Sequence, residues 1–200
     1  EIEANDMRIA GLYNNLSLLY QELSDYNMAE KYQLKSLAIV TNNEAGFEIG
    51  NHSNTHPDLT TVSTQKLNEE LSETNKRLTS ITGKEVKVFR CPYGAYDNNV
   101  INAVQAQGMV PVQWSVDSLD WQGLSADSIT TRIMNNVKNG SIILCHNNAD
   151  NILDALVMVL DRLTKLGYDV VSVGELIYFE NYSIDRNGVQ HKNYKYIYKI

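Results

Sequence analysis

SIILCHNNADNILDALVMVLDRLTKLGYDVVSV, residues 141–173, decides the fold class. Ser141 to Cys145 is an apolar run of strand length. Ile152 to Leu166 carries an apolar stripe at helical spacing and stops at Gly167, a residue that can take φ > 0. Asp169 to Val173 returns to strand character, so the stretch reads strand, helix, strand. The same alternation runs upstream. Ser63 can cap a helix in which Leu67, Leu71 and Leu78 face inward and which ends near Gly83. Lys87 to Phe89 reads as a strand, followed by turn chemistry at Pro92 and Gly94. Asn98 to Gln107 predicts a helix stopped by Gly108, Met109 to Val116 a strand, and Ser125 to Gly140 a capped helix. Strands alternating with helices predict an α/β domain with a mostly parallel sheet over residues 45–178.

Residues 1–44 differ in character. Leu12, Leu16, Leu19 and Leu23 fall at four- and three-residue steps, and Ser24-Asp25 interrupts the run as turn and N-cap. A second helix carrying Met28, Ala29, Tyr32 and Leu37 completes a helical hairpin over 11–39. This stretch resembles a single tetratricopeptide repeat through Tyr13, Leu16, Ser17, Tyr20, Asp25-Tyr26 and Ala29. No second copy follows, and one repeat cannot bury its own apolar face. It is therefore expected to pack on the rest of the chain, to belong to a longer array, or to receive a protein partner. The Tyr-, Asn- and Lys-rich stretch 179–200 predicts an exposed hairpin or extension.

Composition narrows the partners. The 200 residues hold 17 Lys and Arg against 24 Asp and Glu, a net charge of −7 with no basic stripe. That balance argues against nucleic acid and anionic membrane surfaces. No apolar run reaches the roughly 18 residues that a membrane span needs. Glu1 opens the chain with neither an initiator Met nor a charged-then-apolar leader, so the compartment is not legible from its start. Cys91 and Cys145 stand 54 positions apart and leave three readings open: packed thiols, a disulfide or extra metal ligands.

The chemistry-bearing residues cluster where predicted strands give way to loops. His52 and His56 lie four apart in GlyAsnHisSerAsnThrHisPro, a spacing that lets two imidazoles converge on one divalent ion. A structural pair of histidines would look the same. His146 ends the strand IleIleLeuCysHis, where α/β enzymes hold catalytic groups, although a core histidine can also stand there.

The order of motifs resembles the polysaccharide deacetylases of the NodB-homology type, carbohydrate esterase family four. GlyPheGluIleGlyAsnHisSerAsnThrHisProAspLeu at 46–59 is similar to that family's His-x-x-x-His metal motif. PheArgCysProTyrGly at 89–94 is similar to its Arg-Pro-Pro-Tyr-Gly motif, with Cys91 in place of the first Pro. TrpSerValAspSerLeuAspTrp at 114–121 matches the Asp-Trp motif, and IleIleLeuCysHis at 142–146 the final Leu-x-His motif, with Asn147 where Asp is common. The resemblance implies an incomplete, distorted (β/α) barrel preceded by the helical hairpin. It implies hydrolysis of an N-acetyl group on an amino-sugar polymer, peptidoglycan or chitin-like, by a hydrolase of the cell envelope or exterior.

The roles follow residue by residue from that resemblance. His52 and His56 would hold one divalent ion, expected to be zinc, which polarises the acetyl carbonyl and acidifies a bound water. Tyr93 would offer its backbone N–H to the developing oxyanion. His146 would protonate the leaving amine, and Asp120 would orient it and favour its imidazolium form. Trp121 and Leu144 would shape the acetyl pocket, and Arg90 would fix the carboxylate that serves as base. Packing alone would also explain Tyr93, Trp121 and Leu144, and a structural ion pair Asp120 and Arg90.

One departure stands out. The family opens with a strand ending in Thr-Phe-Asp-Asp-Gly, which supplies the base and the third metal ligand, and these 200 residues contain no Asp-Asp pair. Residues 1–44 occupy the place where that strand would lie, which reads as an N-terminally truncated deacetylase domain. Two neutral imidazoles without a carboxylate predict a weakened metal site and reduced or lost activity. Asp58, Asp117 and Asp150 are the candidate substitutes. The competing readings are a non-catalytic interaction protein, binding through the helical repeat, and an inactive remnant.

Overall fold

The structure is a computed structural model that describes residues 48–193 except Asn148, together with 23–25, 27, 28, 31 and 35. Most of the expected hairpin at 11–39 lies outside the described residues. Within it, Asp25 accepts the Met28 backbone N–H at 3.1 Å, as an N-cap does, and residues 27, 28, 31 and 35 are helical. The chain forms two compact units, Glu1–Pro111 and Val112–Ile200. The division falls inside the segment 45–178 that the sequence reads as one domain.

In the first unit, α1 (Thr64–Thr82) starts where Ser63 accepts the Lys66 N–H and stops at Gly83, whose φ of 66° lets its N–H reach back to Thr79. Its inward face carries Leu67 and Leu71, both buried, with Leu78 packed at the edge. β1 (Val88–Arg90) follows, then the Pro92–Gly94 turn and α2 (Asn98–Ala106), capped by Asp97. β2 (Val110–Val112) lies beside β1. The core gathers Leu59, Leu67, Leu71, Val86, Phe89, Cys91, Val100, Val104 and Met109. Each fully buried aliphatic or Phe side chain contributes about 1.5–3 kcal/mol of transfer free energy.

In the second unit, β3 (Val116–Asp117) pairs parallel with β4 (Ile143–Leu144), in the register Val116↔Ile143 and Asp117↔Leu144. Between them runs α3 (Ala126–Asn136), capped by Ser125, and after them α4 (Ile152–Lys165). Both helices bury their stripes against each other and β3, through Ile129, Ile133, Ile152, Ala155, Val159 and Leu163. β5 (Tyr182–Ile184) and β6 (Gln190–Lys192) form the exposed antiparallel hairpin expected of the tail. The α/β alternation and its parallel pairing are therefore present, although the described strands make three two-stranded sheets.

Three expectations are corrected. Met109 to Val116 is not one strand: β2 runs through Pro111 and ends at Val112, and Val116 opens a separate strand that pairs with β4 instead of β1. The helix opened by Ser125 ends at Asn136 rather than Gly140. Asp169 to Val173 is not a strand either. Val170 and Val171 are exposed, and α5 (Val173–Leu176) begins there because Ser172 and Glu175 form a reciprocal capping box. Strand propensity depends on neighbours to pack against, and a local cap wins where none is supplied. No helix among the described residues is long and apolar enough to cross a membrane.

Candidate active site

In the first unit the motif around His52 leaves the sheet edge at Asn51. The Asn51 N–H donates to Val88 O at 2.9 Å and its carbonyl accepts from Arg90 at 3.0 Å, a parallel bridge beside β1. A Cβ on the preceding Gly50 would stand 2.9 Å from Val88 Cγ2 and 3.2 Å from Val88 O, so only glycine allows that approach. The Asn51 side chain is buried and fully engaged. Its Nδ2 donates to Leu71 O at 2.9 Å and Asn75 Oδ1 at 2.7 Å, and its Oδ1 accepts from Ser53 N at 2.8 Å.

His52 Nδ1 lies 2.6 Å from the Arg90 carbonyl. A carbonyl only accepts, so Nδ1 carries the proton, and the lone pair of the neutral ring sits on Nε2, the tautomer a metal ligand needs. The His56 ring packs edge-on to His52, with centroids 4.9 Å apart, and to Tyr93 at 4.7 Å. Ser53, His56 and Tyr93 all hold left-handed φ, at 68°, 57° and 57°. Such residues cost about 1–3 kcal/mol each and persist where the surroundings over-determine them.

Much of that determination comes from Glu70, which α1 aims into the loop. Its Oε2 accepts the Asn54 and Thr55 N–H groups at 2.8 and 2.7 Å, and its Oε1 the Thr55 hydroxyl at 2.7 Å and Lys66 Nζ at 2.8 Å. Burial alone would raise this carboxyl's pKa, but the bonds from Lys66 and Thr55 and the Asn54 amide outweigh it and hold the pKa at about 2. Nothing in the motif pattern pointed to Glu70. The available signal was a Glu on the inward stripe between Leu67 and Leu71, because a charged residue there must find partners.

Arg90 is half-buried, which disfavours its charge, and no carboxylate among the described residues pairs with its guanidinium. Cys91 is a free thiol packed in the core, and burial pushes its pKa up to about 11, out of the reactive range. Tyr93 is 70% exposed at the turn after it.

In the second unit the carboxyl ends of β3 and β4 bring Asp120 and His146 together. Parallel strands deliver their following loops to one edge, which is where this fold class places reactive groups. Asp120, reached through a left-handed Leu119 at φ 54°, is buried. Its Oδ2 accepts the His146 backbone N–H at 2.6 Å, and its Oδ1 faces His146 Nδ1 at 2.7 Å and accepts Trp121 N–H at 3.0 Å. Burial works to raise the Asp120 pKa, yet the bonds from His146 and Ser118 overcome it and hold the carboxyl below its ordinary value. A carboxylate on Nδ1 fixes the tautomer and turns Nε2 outward as the proton-exchanging atom.

A depression of about 280 Å³ opens there, lined by Asp120, Trp121, Gly123, His146, Asn147 and Asp150 among others. Trp121 stands 60% exposed on its rim, whereas Leu144 is buried in β4 and is not among the lining residues. Cys145 is also a free thiol, its pKa raised first by burial and then by the Asp120 charge.

Two of the three candidate substitute carboxylates are engaged in turns. Asp58 accepts from Thr60 N and Oγ1, and Asp117 from Leu119 N. No group of three or more His, Cys, Asp or Glu among the described residues could hold a metal ion. His52 and His56 therefore stand as a two-imidazole pair, with no third such donor grouped with them among the described residues.

Known proteins resemble this chain in sequence and in fold. The polysaccharide deacetylase family model matches residues 27–112, starting inside the segment assigned to the helical hairpin. A peptidoglycan-N-acetylglucosamine deacetylase of Bacillus cereus is 36% identical over 118 residues, 59% of this chain and 43% of that protein. The crystal structure of the Bc1960 peptidoglycan N-acetylglucosamine deacetylase superposes with a TM-score of 0.70 at 32% identity, covering 74% of this chain and 70% of that one. A CE4 family pseudoenzyme from Bacillus anthracis superposes equally well, at 0.70 and 29% identity, over 74% of this chain and 52% of that one. The chain spans less than half the length of the curated relatives it matches. The family model, the curated relatives and the solved structures point the same way, and the chain belongs to the polysaccharide deacetylase family, the NodB-type family 4 carbohydrate esterases.

Proposed function

We propose that the chain is a metal-dependent deacetylase that removes N-acetyl groups from an amino-sugar polymer, peptidoglycan before chitin, at the cell envelope. Peptidoglycan comes first because two of the proteins it resembles are named for that substrate. The observation that carries the reading is the Asp120–His146 pair, a buried carboxylate holding one imidazole at 2.7 Å beside a depression of about 280 Å³. Resemblance of fold and motif supports an incomplete distorted barrel for the whole.

The residues divide the work by chemistry. His52 and His56 would hold zinc, which supplies carbonyl polarisation and an acidified water when bound. The Tyr93 backbone N–H donates to the oxyanion, and the strained turn fixes its direction. His146 gives its Nε2 proton to the departing amine while Asp120 stabilises the imidazolium. Trp121 closes one side of the acyl site. The half-buried Arg90 guanidinium suits a carboxylate that would act as base.

A second reading has its own support. These 200 residues contain no Asp-Asp pair, and one structural relative is a CE4 family pseudoenzyme. Under it the chain binds a glycan or a protein partner without cleaving. One experiment separates the two: zinc analysis of the full chain together with acetate release from N-acetylated peptidoglycan and chitin oligomers. Zinc with acetate release that His146→Ala abolishes supports the hydrolase. No acetate released from either oligomer supports the second reading.

A further inference from the structure

We infer that Glu70 is a positioning residue for the histidine pair, acting through the loop that separates them. This rests on the reading of His52 and His56 as metal ligands. Between those ligands lie only Ser53, Asn54 and Thr55, and Glu70 accepts from the backbone of two of the three and from the Thr55 hydroxyl. The segment is short and contains two left-handed residues, Ser53 and His56. A small rotation at Asn54 or Thr55 therefore changes the separation and relative tilt of the two imidazoles.

The carboxylate is only 1% exposed, and its remaining bond, to Lys66 at 2.8 Å, keeps it ionised and aimed at the loop. Asn51 ties the other end of the segment to the same helix, through Leu71 and Asn75. The geometry makes α1 the frame on which the metal loop is mounted. Groups that orient ligands from behind change metal affinity by about 10–100-fold when removed.

The test is Zn²⁺ titration of the full chain by chelator competition, with hydrogen exchange at the Asn54 and Thr55 amides as a readout that needs no activity. Glu70→Gln should weaken Zn²⁺ binding about tenfold or more and speed exchange at both amides. Thr55→Val, which removes one of the four bonds and spares the charge, should shift both in the same direction by less. Val104→Ala lowers stability from the same core without touching the loop, and should leave Zn²⁺ affinity unchanged. Should Glu70→Gln fail to fold, Thr55→Val against Val104→Ala decides alone. Zn²⁺ binding equal in the wild type and the loop variants overturns the inference and leaves the metal reading intact. A wild-type chain that takes up no Zn²⁺ overturns both.

Discussion

Acid should act on the first unit through Glu70. Its carboxyl has a pKa of about 2 in the folded chain against an ordinary 4.5, because Lys66, Thr55 and the Asn54 amide favour the charged form despite burial. A depressed folded pKa contributes stability that is fully present above the unfolded value and disappears as pH falls through the folded one. The window runs from about pH 5 down to pH 2. A difference of about 2.5 pH units at 1.36 kcal/mol each gives about 3 kcal/mol, a large share of a small domain's stability. Glu70→Gln resembles the protonated form: uncharged, and unable to accept from all four donors. At pH 7 the variant should therefore be less stable by that order, and the gap should close toward pH 2. Native-state hydrogen exchange at Leu71 and Phe89 is the suitable assay, since both amides belong to this unit. Fluorescence reports elsewhere, because Trp114 and Trp121 both lie in the second unit. A wild-type minus variant difference that stays constant from pH 7 to pH 3 would refute the linkage.

Three further outcomes are expected. His146→Ala should remove about 10²–10⁴-fold of any acetate release, and Asp120→Asn should cost a similar factor by releasing the Nδ1 tautomer; unchanged kcat in both would reject the dyad's role. His52→Ala should lower zinc content of the purified chain, measured by atomic absorption, while leaving the circular dichroism of the second unit's helices unaltered. Ile129→Ala, at a fully buried position between α3 and α4, should lower stability by about 2–5 kcal/mol in tryptophan-detected urea unfolding. A loss below about 1 kcal/mol would mean the site collapses to fill the cavity.

Much of this molecule is written in local chemistry, and that part was legible. Ser63 and Gly83 bracket α1, Ser125 opens α3, and the apolar stripe of 152–166 appears as α4, because caps and periodicity are properties of neighbouring residues. The two motif halves that hold His52 with His56 and Asp120 with Trp121 were readable for the same reason. Their ordered resemblance to one family carried the functional assignment.

What the tertiary structure decided is everything that joins residues distant in the chain. Asp120 and His146 are 26 positions apart and meet only because β3 and β4 pair in parallel. Glu70 looked like one more charge on a helix, until folding buried it under a loop 15 residues upstream. Val170 and Val171 carry strong strand propensity and form no strand, since propensity is expressed only against a packed neighbour. Hydrogen-bond satisfaction of buried polar groups is settled by three-dimensional proximity, which linear spacing does not encode.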